Sequence, residues 1–195
     1  KTLLLLVLSV ATLFAFATKP HIENVRVNPE NSTVKWIGLK VASFHEGNVN
    51  IQKGSLSIDH GALVGGQISI DMNSISCSDI ESEKKNKYLV DHLKGEDFFN
   101  VKAFPLAIIT ITEAVRGEGN IYKIAADLTI KGITHPISFQ ADVNIKGLNY
   151  LAKAKIKIDR TQWDIRYGSG SFFEDLGDKM MLDEIEFDIF LLSVK

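Results

Sequence analysis

The fold is decided by the stretch Tyr122–Ile145, which reads YKIAADLTIKGITHPISFQADVNI. Apolar and polar residues alternate in it almost without a break, and the phase resets once, at the predicted turn Gly132–Pro136. A period of two is typical of a strand with one apolar face and one polar face. The stretch therefore predicts an antiparallel hairpin, and strands of this kind can close into a barrel with an apolar interior.

The same alternation recurs on both sides of this hairpin, from Ser32–Lys40 near one end of the chain to Ile185–Leu191 near the other. Glycine-containing turns separate most of these segments. We interpret Phe44–Gly47 as a turn or crossover and Lys53–Gly54 as the end of a strand. About eight strands are predicted, which is enough to close a barrel around side chains or one small ligand. The predicted class is all-β, an eight-stranded antiparallel β-barrel.

The segment Ser78–Lys102 interrupts this pattern, because it is polar and charged and has no strand periodicity. Tyr88, Leu89 and Leu93 lie near helical spacing, which predicts one short helix over Lys84–Lys94 that stops at Gly95. Such an excursion is too long for a hairpin loop, so we expect a lid or an end cap.

The N-terminal segment predicts export. Residues 3–16 are almost entirely apolar after Lys1, and Ala15–Ala17 is a small-x-small triplet, as in a secretory signal peptide. The alternative is a retained membrane anchor, but the apolar run is shorter than the roughly 20 residues that a membrane span needs. We therefore expect a signal peptide over residues 1–17, a barrel domain over residues 18–195, and a periplasmic or secreted protein without a stable membrane span.

Composition and motifs argue against several other functions. The formal net charge is −2 and the basic residues are scattered, so no nucleic-acid partner is expected. The single cysteine, Cys77, cannot form an internal disulfide. None of the five histidines has metal-ligand spacing, and Gly168–Phe172 does not fit a nucleophile elbow. We predict no catalytic residue, metal or cofactor.

Aromatic residues are concentrated in or beside the segments that are not strands. They either plug the barrel ends as ordinary core or line a ligand pocket, and tryptophan and tyrosine suit the mouth of such a pocket. The predicted ligand-binding residues are Trp36, Phe44, Phe98, Phe99, Phe104, Phe139, Trp163, Tyr167 and Phe172.

Two long segments resemble signatures of the YceI-like family of polyisoprenoid-binding proteins. The first runs from Asp91 through Asp97–Val101 to Phe104–Pro105, and the second is Asp127–Ile137. The opening Ser32–Trp36 is also similar. The resemblance implies a lipocalin-like barrel with an elongated apolar tunnel, an isoprenoid or fatty-acid-like amphiphile as ligand, a periplasmic location, and a homodimer in some members.

Three functions are compatible with this sequence. The first is a carrier of a polyisoprenoid or other long-chain amphiphile, without a catalytic step. The second is an enzyme acting on a hydrophobic substrate in the same barrel, which would need polar groups that converge inside it, with His45, Asp91, His92 and Arg160 as candidates. The third is a barrel filled by its own side chains that serves as an interaction or stress protein.

Overall fold

The computed structural model of the chain describes residues 21–194, which form nine strands and one α-helix. The predicted signal peptide, residues 1–17, lies outside the described residues. The elements are β1 (Ile22–Arg26), β2 (Thr33–Lys40), β3 (Phe44–Asp59), β4 (Ala62–Asp71), α1 (Glu83–Lys94), β5 (Leu106–Arg116), β6 (Ile121–Ile130), β7 (Ile133–Lys146), β8 (Asn149–Asp159) and β9 (Met181–Leu192).

Strands β2 to β9 form a closed antiparallel barrel. The strand order is β1-β3-β2-β9-β8-β7-β6-β5-β4, and the additional pairing of β3 with β4 closes the ring. This confirms the predicted eight-stranded barrel with one short helical excursion. Strand β1, which the sequence analysis did not predict, pairs with the second half of β3 outside the ring.

The hairpin β6–β7 follows the alternation that predicted it. Tyr122 pairs with Ala141 and Ile124 with Phe139, so residues with the same facing direction lie opposite each other. The predicted turn Gly132–Pro136 is wrong, because β7 already begins at Ile133. The actual turn has two residues, Lys131 and Gly132, both with positive φ (51° and 74°), which suits the twist of a tight hairpin.

Two further predictions, the turn or crossover at Phe44–Gly47 and the strand end at Lys53–Gly54, are wrong for a common reason, because both segments belong to the 16-residue strand β3. Phe44–Gly47 is the start of β3 and pairs with β2. Lys53 and Gly54 pair regularly with Ser69 and Ile68 of β4, directly after a register shift between Ile51 and Lys53, a bulge that bends the strand without ending it. Sequence pattern alone does not distinguish a glycine close to a bulge inside a strand from a glycine in a turn.

The barrel wall is incomplete between β7 and β8. Their pairing covers only Ala141–Lys146 of β7, and the first half of β7 has no ladder to β8. The segment after β8 lies against this half: the Trp163 indole donates to the Leu128 carbonyl (3.1 Å), and His135 contacts the Gln162 carbonyl through Nε2 (3.0 Å). Pro136 lies in the same stretch, where a missing N–H removes no ladder bond.

The helix α1 confirms the predicted helix, and Gly95 follows it as expected. It belongs to the segment 72–105, which crosses one end of the barrel between β4 and β5. We call this the upper end. The turn between β2 and β3, the turn Lys131–Gly132 and the loop 160–180 lie at the same end. Within residues 21–194, no helix is long and apolar enough to cross a membrane.

Candidate ligand-binding cavity

An apolar cavity lies in the upper half of the barrel. Its unoccupied space amounts to about 1190 Å³ with its open mouth included, and the centre of a water-sized sphere can move through about 130 Å³ of it. All eight barrel strands contribute to its wall, among them Val34, Val49, Ile70, Ala107, Leu128, Ile137, Ile156 and Phe187.

The lower half of the barrel is filled by side chains, so the cavity does not run through it. Tyr122 and Leu63 are almost completely buried there, and the Tyr122 hydroxyl lies 3.4 Å from the Leu63 amide. Tyr150 is also buried, and burial strongly raises the pKa of its hydroxyl, which has no hydrogen-bond partner among the described residues. A ligand would therefore enter from the upper end.

The segment 72–105 covers the cavity with apolar side chains. Leu89 and Leu93 of α1 and the following Phe98 and Phe99 line it. The cover is fixed to β2 and β3: the Trp36 indole donates to the Ser76 carbonyl (3.1 Å), and backbone hydrogen bonds join residues 48 and 76 in both directions. One wall of the cavity is thus a chain segment that is not part of the sheet.

Gly47 allows this close approach. A Cβ atom at position 47 would lie 1.8 Å from the Ser76 carbonyl oxygen and 2.8 Å from the Trp36 ring. Real Cβ atoms do not approach other atoms this closely, so glycine is required for steric reasons and not for its backbone freedom. At Gly47, strand β3 is therefore in direct contact with Ser76 of the cover and with the lining residue Trp36.

Only three residues of the described lining carry charged or titratable side chains: Lys40, His45 and Arg160. All three lie at the upper end: Lys40 at the end of β2, His45 at the start of β3 and Arg160 directly after β8. The remaining lining is apolar apart from the indole N–H of Trp36, which is already bonded. This arrangement suits a hydrocarbon chain with its polar end near the mouth.

Arg160 is 2% exposed and binds the loop that follows it. Its guanidinium donates to the carbonyls of Ile165 (2.7 Å), Leu182 (3.1 Å) and Met181 (3.4 Å), and Asp183 lies 3.5 Å away. Burial lowers the pKa of Arg160, an effect that the negative charge of Asp183 partly offsets. The group is a buried cation whose close partners are neutral carbonyls.

His45 is oriented by Asp79. Its Nδ1 lies 2.8 Å from the Asp79 carboxylate, which also accepts from the backbone N–H of Glu46 (2.9 Å). Burial alone would raise the pKa of Asp79, but the hydrogen bonds from Glu46, His45 and Cys77 outweigh it and lower the pKa. The thiol of Cys77 lies 3.2 Å from the same carboxylate, and burial, followed by this hydrogen bond, raises its pKa.

Three of the nine predicted ligand-binding residues, Trp36, Phe98 and Phe99, line the cavity. Trp163 is almost completely buried but packs beside the wall and not in it. Phe104 and Phe139 are half-buried and do not belong to the lining either.

The other three predicted residues, Phe44, Tyr167 and Phe172, are about half exposed and lie outside the lining. The Tyr167 ring packs against the lining residue Phe98 with centroids 5.4 Å apart, and Phe44 pairs with the lining residue Leu39 across the ladder between β2 and β3. The structure thus brings together the aromatic residues of β2 and the cover, and leaves those of the 160–180 loop outside.

The candidate enzyme residues do not form a single cluster. His45 and Arg160 line the cavity, whereas Asp91 is exposed and paired with Lys87 on the helix surface. His92 packs between Phe98 and Tyr167, with ring centroids 5.0 and 4.6 Å away. Among the residues of the structure described above, no group of three or more histidine, cysteine or acidic side chains could hold a metal ion.

Most of the lining was not named as a site by the sequence analysis, because it consists of aliphatic residues. The alternation already placed Val34, Ile156 and Ile189 on the inner face, but period two does not say which inner residues border empty space. Lys40 is a further residue that was missed. It directly precedes a turn, where a lysine normally indicates only a solvated surface.

The fold and the cavity define a class: a closed antiparallel barrel with an apolar pocket that opens at one end. Residues 26–191 match the model of the YceI-like domain. The chain belongs to the YceI-like family, as its sequence resemblance predicted. The UPF0312 proteins of Shewanella denitrificans and Photorhabdus laumondii are both 29% identical, over 100 and 117 residues.

These two alignments cover 51% and 56% of this chain and 49% and 57% of the relatives. The chain thus spans about half the length of the curated relatives it matches.

Solved structures share the fold at low identity. BcnA of Burkholderia cenocepacia has a TM-score of 0.69 at 22% identity, over 86% of this chain and 99% of that one. A polyisoprenoid binding domain from Saccharophagus degradans, described as implicated in plant cell wall breakdown, has a TM-score of 0.63 at 14% identity, over 90% and 98%. These similarities establish the barrel architecture, and the ligand has to be argued from the cavity itself.

Proposed function

We propose that this protein binds and carries a polyisoprenoid or another long-chain amphiphile in its barrel cavity. The observation that supports this most strongly is the unfilled apolar space between the inner faces of eight strands and the cover. Cores normally contain few voids larger than a water molecule, because empty space forfeits dispersion contacts. A cavity of this size is therefore better explained as a site for a guest than as a packing defect.

The chemistry of the wall selects the class of ligand. Each buried methylene contributes about 0.8 kcal/mol, so a chain of ten buried methylenes gains about 8 kcal/mol before the cost of ordering it. The almost entirely apolar lining suits an unbranched or prenyl hydrocarbon chain. The Saccharophagus structure, described as a polyisoprenoid binding domain, is consistent with this class.

We further propose that residues 78–104, the larger part of the cover, act as the gate for this ligand. Leu89, Leu93, Phe98 and Phe99 of this segment line the cavity, and the segment contains no strand, so opening it would break no strand pairing. Hydrogen exchange with and without a bound fatty acid tests this proposal. We expect protection in α1 to rise on binding, and equal exchange in both states would contradict a gating role.

The proposed role is a binding role without a chemical step. Of the four candidate enzyme residues, only His45 and Arg160 line the cavity, Asp91 is paired with Lys87 on the helix surface, and His45 already contacts Asp79. The sequence of residues 1–17 supports export to the periplasm or the medium. A homodimer belongs to the same proposal, and light scattering coupled to size-exclusion chromatography measures it.

Native mass spectrometry of protein purified without detergent tests the proposal. We expect a co-purifying species whose mass corresponds to a long-chain lipid, released when the protein is denatured. The matched control is a variant in which the cavity is filled, Ala107→Phe, which should carry none. Wild-type protein that is free of lipid and does not take up added fatty acid would contradict the proposal.

A further inference from the structure

The charged groups of the cavity wall are confined to its mouth, and this distribution bears on the polar end of the ligand. We propose that the mouth binds an anionic oxygen head group, a carboxylate or a phosphate monoester, with Lys40 as the principal contact. The inference rests on the proposed function, because it assigns a head-group site to the ligand whose tail fills the cavity.

Lys40 and Arg160 flank the same piece of backbone. Lys40 pairs with Met181 across the ladder between β2 and β9. Arg160 donates to the carbonyls of Met181 and Leu182. Both Met181 and Leu182 also line the cavity. Lys40 and Arg160 therefore lie on opposite sides of the start of β9, at one section of the rim.

Lys40 is the more available of the two cations. It is half-buried, and its backbone N–H donates to Ser43 in the adjoining turn. Long basic side chains lay their methylene stems along apolar surface and keep the charged end at the water boundary. A lysine that lines an apolar cavity in this way places its ammonium where the head group of an amphiphile would emerge.

His45 supplies a third polar group on the opposite side of β2, because it pairs with Gly38 in the ladder between β2 and β3. Its Nδ1 is occupied by Asp79, so Nε2 is the ring atom left for a ligand. When the imidazole is protonated, both ring nitrogens donate, one to Asp79 and the other to an anionic head.

The local charges favour an anion over a cation. Arg160 is held mainly by neutral carbonyls, and its two carboxylate neighbours have partners of their own: Asp183 accepts from the Ser171 hydroxyl at 2.7 Å, and Asp159 from the hydroxyl and backbone N–H of Thr161. Asp79, near His45, is turned toward His45, Glu46 and Cys77. A cationic head would therefore face two basic residues, whereas an anion gains charge-assisted hydrogen bonds.

The experiment compares three ligands with the same tail and different heads: hexadecanoate, hexadecyl phosphate and hexadecanol, each below its critical micelle concentration. Binding to wild-type protein, Lys40→Met and the control Lys102→Met is measured by displacement of a fluorescent fatty acid. Lys102 is an exposed lysine of the cover that does not line the cavity, so this control removes an equal charge away from the proposed site. Methionine keeps a stem that can pack on apolar surface.

We expect Lys40→Met to lower the affinity for both anionic ligands about tenfold and to leave the affinity for hexadecanol unchanged. Lys102→Met should change none of the three affinities. His45→Asn, whose amide can still donate to Asp79, should lower only the affinities for the two anionic ligands, and by a smaller factor than Lys40→Met. Equal loss for all three ligands, or no loss, would overturn the head-group site while leaving the carrier function in place. If no ligand binds to wild-type protein, the proposed function itself fails, and this inference with it.

Discussion

Filling the cavity from its wall is the most informative perturbation of this barrel. Ala107 on β5 is almost completely buried, lines the cavity, and pairs with Ile70, another lining residue. Replacement by valine, leucine and phenylalanine adds progressively more carbon atoms to the wall, about six for phenylalanine. Each added carbon takes the place of a ligand methylene that contributes about 0.8 kcal/mol.

The expected loss of binding energy is about 2.4 kcal/mol for Ala107→Leu, which adds three carbons, and about 4.8 kcal/mol for Ala107→Phe, which adds six. These values correspond to roughly fiftyfold and more than a thousandfold weaker binding of a long-chain fatty acid, since a factor of ten is about 1.4 kcal/mol. Displacement of a fluorescent fatty acid measures the affinities. Ile108→Phe is the matched control, because the neighbouring residue points to the outer face of the same strand.

Thermal unfolding of the same variants separates lost binding from lost structure. Overpacking costs about 1–3 kcal/mol when a site is already full, whereas filling empty space is neutral or stabilising. We therefore expect the melting temperature of the leucine variant to equal or exceed that of the wild type. If Ala107→Phe folds and binds the fatty acid as tightly as wild-type protein does, the cavity is not the binding site.

Three further predictions concern single contacts. The protein has two tryptophans, and a bound ligand should change the fluorescence of Trp36, which lies in the cavity wall. Trp36→Phe should therefore abolish the fluorescence change on ligand binding, and Trp163→Phe should retain it. Gly47→Ala should destabilise the protein by several kcal/mol in urea unfolding, since its Cβ would clash with the cover, whereas Gly38→Ala, with its nearest contact at 3.9 Å, should cost less than about 1 kcal/mol. The lowered pKa of Asp79 means that its stabilising contribution is complete above the ordinary carboxyl pKa of 3.8 and is lost as the pH falls below it. Asp79→Asn should therefore flatten the acid limb of stability against pH, and an unchanged limb would contradict this assignment.

The barrel could be predicted because its determinants are local. In β6 and β7, the polarity of each residue indicates whether it faces the interior or the solvent, and a two-residue turn fixes the register. The helix α1 and its stop at Gly95 were likewise predictable from spacing and a terminal glycine. Strand β3 was divided wrongly, because a bulge and a turn use the same residue types.

The candidate site could be predicted only in part, because a cavity depends on distant parts of the chain. The contact of Gly47 with Ser76 brings the cover over the barrel, and no local pattern encodes it. The criterion that aromatic residues outside the strands approach the interior selected Phe98 and Phe99, and both line the cavity. The same criterion also selected Phe44 and Phe172, which the fold leaves exposed at the upper end.

The central claim is that an apolar cavity of limited size holds the tail of the ligand, and affinity against chain length tests it most directly. Saturated fatty acids of increasing length are titrated into the wild-type protein under identical conditions. We predict about a fourfold gain in affinity for each added methylene until the cavity is full, followed by a plateau. An affinity that does not depend on chain length, or that rises without reaching a plateau, would contradict a bounded cavity.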